Sequence, residues 1–339
     1  MRRWTTCLVA VAASLFVAAP ALACGGLVAP NGTVNLVRTT TLAGYHDGVE
    51  HYVTSFEYAG GGGEFGSIVP LPGVPTDVVR GGDWTLQRLV EEVQPPQPLE
   101  FRTADLAAGT SADVLFETRI DALDITVLEG GASEVGRWAL DNGFALPPDA
   151  PEVLEFYARR SPIFMAARFD AAEAERLGQG IGDGTPIHLS IPTEDPWVPL
   201  RILSLGRRAS ETVQADVFLL TDARPALLPR PGTTMSLEVS EVASESLVRD
   251  LRSDKGMGWI PEEGMWLSYL KIDAKAASLD HDLAIDPTGL GSPSKVAAGL
   301  VLPGDVTDVA RRNPLWAWGL AVLLVAGTVA FGNRIVSTR

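Results

Sequence analysis

Two apolar segments bracket this chain, and they confine globular folding to what lies between them. Arg2 and Arg3 precede an apolar run from Cys7 to Ala19, and Ala21-Leu22-Ala23 supplies the small-residue cleavage pattern of a secretory signal peptide. The mature chain is expected to begin at Cys24. Near the other end, Leu315 to Gly332 carries no charge. Its length of about 18 residues gives roughly 27 Å of helix against a hydrocarbon core of about 30 Å. This predicts a C-terminal transmembrane helix over 314–333. Trp316 and Trp318 sit at its outer rim, where aromatic rings favour the interface, and a short tail, 334–339, follows. Arginines flank both ends, so the cleaved signal sets the orientation. The expected arrangement is single-pass type I in the cell membrane, with the main domain outside the cytoplasm and the lipid bilayer as a partner through the helix. A lipoprotein signal would want an aliphatic residue at position 21, which is Ala, and Leu302-Pro303-Gly304-Asp305-Val306 is not a wall-sorting signal.

Cys7 leaves with the signal, so Cys24 is the one cysteine of the mature chain, which excludes internal disulfides and cysteine-based zinc sites. A remainder of about 285 residues buries enough surface to fold without such staples. The net charge of the whole chain is −15. Signal and tail remove Arg2, Arg3, Arg311, Arg312, Arg334 and Arg339 and no acid, so the exported part is more acidic still. That balance argues against nucleic acid as a partner. The scarcity of lysine (Lys255, Lys271, Lys275 and Lys295) beside abundant Arg, Ala and Gly has the look of a high-GC bacterial genome.

Alternating strands dominate the pattern. Val34 to Ala43 and Val49 to Tyr58 flank Asp47-Gly48, a two-residue hairpin turn. Further strands are expected at Phe65 to Leu71, Asp113 to Ile120, Asp124 to Leu128, Ile163 to Phe169, Ile187 to Ile191, Val198 to Leu205, Val213 to Leu220 and Met265 to Ile272. Helical spacing marks Trp84 to Val93 with Asp83 as N-cap, a helix from Ser133 closed by Gly143, one opened by Pro151, and one near Ser244 to Leu251. Hairpins outnumber βαβ units, so the expected fold is α+β, mostly antiparallel sheet with short packed helices. The extracytoplasmic domain would span 24–286, with a sub-boundary considered near 225–232 and a stalk over 287–313.

Several blocks read together resemble one bacterial family: Ala23 to Gly26 (ACGG), Tyr58 to Pro72, Asp124 to Gly130, Trp138 to Phe169 and Ile187 to Leu203. In this order they are similar to the exported proteins grouped as domain of unknown function 2330, over about Cys24 to Arg224. The resemblance implies an uncharacterised extracytoplasmic domain, commonly with a signal peptide and often an anchor. It implies no catalytic residues.

The motifs that carry chemistry are sparse. Gly61-x-Gly63-x-x-Gly66 matches a dinucleotide fingerprint in letters, but a strand follows where that motif needs a helix, and no cofactor is indicated. His46 and His51 flank the hairpin turn and fall diagonally on one face, about 7 to 8 Å apart at the backbone, within reach of one metal ion. They are the candidate metal ligands. Asp280, Asp282 and Asp286 lack the ligand order of a calcium loop, and Ser292-x-x-Lys295 has no Lys-Thr-Gly partner. The aromatics Trp138, Tyr157 and Trp197 read as core, with Trp197, between Pro196 and Pro199, the one expected at the surface. The chain therefore reads as a non-enzymatic, membrane-anchored binding domain of the cell envelope, meeting an envelope protein or ligand. The alternative is an envelope hydrolase using acidic residues or a metal.

Overall fold

The computed structural model describes residues 26–28, 39–56, 65–93, 116–178 and 185–303. The signal peptide and the membrane helix expected over 314–333 lie outside them. No helix among the described residues is long and apolar enough to cross a membrane.

Fifteen strands are described: β1 Gly26–Val28, β2 Thr39–His46, β3 Val49–Phe56, β4 Gly66–Leu71, β5 Asp77–Arg80, β6 Phe116–Ile120, β7 Leu123–Glu129, β8 Ile163–Phe169, β9 Thr185–Pro192, β10 Trp197–Val198, β11 Thr212–Thr221, β12 Ala226–Leu228, β13 Met235–Val242, β14 Trp266–Lys275 and β15 Leu283–Asp286. Five helices accompany them: α1 Thr85–Val93, α2 Ala132–Asp141, α3 Ala150–Ala158, α4 Ala171–Leu177 and α5 Glu245–Ser253. The strands form a seven-stranded sheet in the order β13-β14-β11-β2-β3-β9-β5, a five-stranded sheet β1-β4-β8-β7-β6, and a small sheet β10-β15-β12. Every described pairing is antiparallel except β11 with β2. This is the expected α+β architecture.

The β2–β3 hairpin shows how local sequence sets the register. Asp47 and Gly48 both take positive φ, 49° and 79°, as the tight turn requires, and His46 pairs with Val49. Alternation then sends Ala43 and Tyr52 to one face and Leu42 and Val53 to the other. The first face joins the main core with Ile125, Val127 and Met165 of the five-stranded sheet and with Val135, Trp138 and Leu154 of α2 and α3. The second face joins a smaller core with Phe218 of β11, Leu89 of α1 and Leu247, Val248 and Leu251 of α5. Ser244 caps α5, its hydroxyl accepting the Leu247 amide at 3.2 Å.

Several expectations are corrected. Val198 to Leu205 is not a strand: after β10 it turns into a 3-10 helix, Arg201–Ser204. The cause is long-range, because Asp282 accepts the amides of Leu200 and Arg201 at 2.8 and 2.9 Å, and the Tyr157 hydroxyl accepts that of Ile202 at 2.8 Å. Asp83 pairs with Arg80 instead of capping α1, while the Trp84 amide and the Thr85 hydroxyl bond to Asp254. The segment 225–232 separates no sheets, since β13 and β14 on its far side pair within the same sheet as β11 and β2. The folded unit also runs past Pro287. Ala297 and Ala298 are buried in the main core, and the Asp282 amide bonds to the Ala298 carbonyl at 3.0 Å.

Trp197 is likewise not a surface residue. It is buried and stacks on Tyr157 at 5.7 Å, and the Arg160 guanidinium lies over both rings. Arg160 pairs with Asp282, which has no exposed surface, and Tyr157 donates to the same carboxylate at 2.8 Å. The residue singled out as part of an incomplete calcium loop is thus a saturated buried anchor.

Candidate functional site

The second face of the seven-stranded sheet carries His46 and His51 together, as the hairpin spacing predicts, but gives them different partners. His46 Nδ1 bonds to Asp222 Oδ1 at 2.7 Å, on the loop after β11. His51 Nδ1 lies 3.0 Å from Nε2 of His188, which β9 brings alongside by pairing with Val53. The Trp259 ring stacks on His51, centroids 4.1 Å apart and planes within 4°. Room for that ring comes from Gly44, directly opposite His51 on β2, where a Cβ would stand 2.2 Å from the indole. His188 Nδ1 and Trp259 Nε1 are buried without a hydrogen-bond partner among the described residues.

Burial lowers both histidines, His51 to about 3 and His188 to about 4. For His51 the imidazoles of His188 and His46 add to the effect; for His188, Asp77 opposes it. At neutral pH the pair is a neutral imidazole–imidazole hydrogen bond. A structural zinc takes four ligands, and among the described residues no group of three or more His, Cys, Asp or Glu is placed to hold an ion.

On the opposite face of the same sheet lies Glu50, fully buried, its carboxyl pushed up to about 8 by that burial. Its Oε2 accepts the Trp197 amide at 3.3 Å, which partly offsets the shift, and its Oε1 has no partner among the described residues. Glu50 therefore holds its proton at neutral pH.

A concave feature among the described residues lies elsewhere. A cavity of about 330 Å³ lies against the five-stranded sheet, at the lower end of the range of small-molecule sites. Strand β6 supplies Glu117, Thr118 and Arg119, β7 supplies Asp124, Ile125 and Thr126, β8 supplies Arg168, and Trp138 of α2 with Asn142, the residue just after that helix, completes the lining. The sheet register aligns three of these across neighbouring strands, Arg119 opposite Asp124 and Asp124 opposite Arg168. Asp124 is shared: its Oδ1 lies 3.1 Å from Arg119 and its Oδ2 2.6 Å from Arg168 Nη2. Arg119 also pairs with Asp170, whose carboxyl is held below its usual range against the pull of burial by that guanidinium and by the Glu173 amide. Arg168 is only 7% exposed, and its buried Nη1 has no hydrogen-bond partner among the described residues. Asn142 is fixed by donating to the Trp138 carbonyl at 2.9 Å. A small polar ligand entering here meets side chains already locked in place.

Sequence reading found His46 and His51 but neither His188 nor the cavity. Sites 137 residues apart, as His51 and His188 are, leave no spacing signal. The cavity does leave one: Glu117 and Arg119, then Asp124 and Thr126, occupy alternate positions of one strand face, and Arg168 interrupts an otherwise apolar strand.

Comparison with known proteins adds a family and no activity. No curated protein matches the chain. Among solved structures, the crystal structure of baculovirus P35 is 9% identical, covering 75% of this chain and 97% of its own, with a TM-score of 0.40. A mutated baculovirus P35 after caspase cleavage is also 9% identical, covering 74% and 99%, with a TM-score of 0.36. Likeness at that level carries no argument about role. The family model described as "Uncharacterized protein conserved in bacteria (DUF2330)" matches residues 18–228, more than half of the chain and nearly the span over which the blocks resemble it. The chain belongs to that family of uncharacterised bacterial proteins.

Proposed function

We propose that this protein is a non-enzymatic binding domain of the bacterial envelope, held at the outer side of the cell membrane by its C-terminal apolar segment, with the cavity between β6, β7, β8 and α2 as its ligand site. One observation carries the binding reading: the charged cavity lining is braced by its own ion pairs, Asp124 to Arg119 and Arg168 and Arg119 to Asp170. Such bracing fixes orientation before a ligand arrives, which lowers the entropy lost on binding. Among the described residues, the buried groups displaced far from ordinary acid–base behaviour, Glu50, His51 and His188 of the seven-stranded sheet and Tyr157 of α3, do not line the cavity. A general acid or base must lie within hydrogen-bond reach of the bound molecule, so this separation favours binding over acid–base chemistry. Placement outside the cytoplasm rests on the signal-like N-terminus and on the uncharged stretch Leu315 to Gly332.

Thermal unfolding of the full chain against a panel of small organic acids, sugars, wall fragments and peptides tests the reading. A ligand at about 100 times its dissociation constant stabilises the folded state by about 2.7 kcal/mol, which raises the midpoint by about 5 to 10 °C in a domain of this size. Turnover of a panel member, or no shift with any of them, would set the reading aside.

A further inference from the structure

Three side chains of the cavity lining offer oxygens that no group among the described residues engages. Glu117 is exposed, and its carboxylate makes no ion pair or hydrogen bond there. Thr126 stands directly opposite on β7, 8% exposed, and its hydroxyl is likewise unengaged. Asn142 is 6% exposed, and its amide nitrogen donates to the Trp138 carbonyl at 2.9 Å. A carbonyl can only accept, so that bond fixes the amide and leaves Oδ1 as its free atom. Thr126 Oγ1 and Asn142 Oδ1 keep accessible surface, whereas Nη1 of Arg168 is sealed off. Resting on the binding reading above, we infer that the cavity takes a small organic ammonium ion of single charge, its N–H donors shared among Glu117, Thr126 and Asn142 Oδ1.

Charge and size select this class. Arg119 and Arg168 are held by Asp124 and Asp170, and Glu117 adds a carboxylate that nothing balances, so the groups at the cavity carry one negative charge in excess. A concave site lined by one sign of charge draws the opposite sign. An anion would meet Glu117 and the Asn142 carbonyl. A bare metal ion is also a poor fit, because the cavity measures about 330 Å³ and among the described residues no group of three or more His, Cys, Asp or Glu is placed to hold an ion. A primary ammonium is compact and carries three donors and no acceptor, which suits three separate oxygens. Its bond to Glu117 is charge-assisted at both ends. Trp138, lining the same space, gives the carbon frame of the ligand an apolar wall.

The experiment is thermal unfolding and calorimetric titration of the full chain with benzylamine, ethanolamine and alaninamide, each beside the alcohol that replaces its amine: benzyl alcohol, ethylene glycol and lactamide. At least one amine should raise the midpoint by about 5 °C when well above its dissociation constant, and its alcohol should not. Glu117→Gln removes the charge at an exposed position and should weaken that amine about tenfold while the free protein unfolds as the parent does. Thr126→Val keeps the shape and deletes a hydroxyl without an internal partner. It should weaken the amine severalfold and leave the midpoint of the free protein no lower, a pairing that a purely structural threonine would not give. No shift with any of the three amines would overturn the inference, as would an equal shift with the matching alcohol or an affinity that both variants leave intact. Silence from the amines with a shift from a sugar or an organic acid would overturn it and leave the binding reading standing. Silence from the wider panel as well would remove both.

Discussion

Replacing Glu50 by Gln should expose an acid sensitivity that the parent protein hides. His51 and His188 have folded pKa values of about 3 and about 4, below the ordinary 6.5. As pH falls through 6.5 the unfolded chain takes up protons that the folded chain refuses, so stability is lost. At pH 5.5 the two histidines together cost about 3 kcal/mol. Glu50 works in the other direction, because its folded pKa of about 8 stands above the ordinary 4.5. Its contribution is complete below 4.5 and fades as pH rises towards 8, a loss of about 2 to 3 kcal/mol between pH 5.5 and 7.5. In the parent the two trends nearly cancel, and stability should be flat across that window. Gln keeps the shape and still accepts the Trp197 amide, but it does not titrate. Urea denaturation of Glu50→Gln should therefore show about 3 kcal/mol less stability at pH 5.5 than at 7.5, which is about 6 to 12 °C in a thermal scan. A flat profile in the variant would refute the neutral buried histidine pair. A steep loss in the parent would refute the buried protonated carboxyl.

Three further outcomes follow from the packing. Gly44→Ala should cost about 1 to 3 kcal/mol, since its methyl would occupy the place of the Trp259 ring; the His51 ring protons should lose the upfield shift of the stack, and an unchanged spectrum would contradict that geometry. Asp282→Ala should cost about 3 to 5 kcal/mol in thermal unfolding, because it strands the buried Arg160 and frees the Tyr157 hydroxyl and two amides; a loss under 1 kcal/mol would mean the network is not structural. Zinc titrated into the protein should not bind stoichiometrically at His46 and His51, because among the described residues no group of three or more His, Cys, Asp or Glu is placed to complete a site; one equivalent lost on changing both to Ala would support the metal site read from the hairpin.

Local chemistry made part of this architecture legible. Asp47-Gly48 sets a hairpin wherever it lies between alternating strands, and Gly143, at φ 79°, ends the chain's run after α2 as the glycine cap predicts. Leu89, Leu247 and Leu251 are buried because helical periodicity is a property of the helix itself. What stayed hidden is non-local. The turn at Arg201–Ser204 depends on Asp282, 81 residues away, and short edge strands such as β5 and β12 carry too few residues to alternate visibly. The cavity lies between these cases. Its charged residues interrupt strand alternation in plain sight, but only the antiparallel register of β6, β7 and β8 shows that Arg119, Asp124 and Arg168 stand in one row.

The outward placement proposed from the signal-like N-terminus and the uncharged stretch Leu315 to Gly332 is tested most directly by protease treatment of intact spheroplasts expressing the full chain with an epitope after Arg339. The folded unit through Ala298 should be accessible from outside while the epitope fragment stays membrane-bound and protected. A folded unit that survives in intact spheroplasts and is digested only after lysis would contradict it.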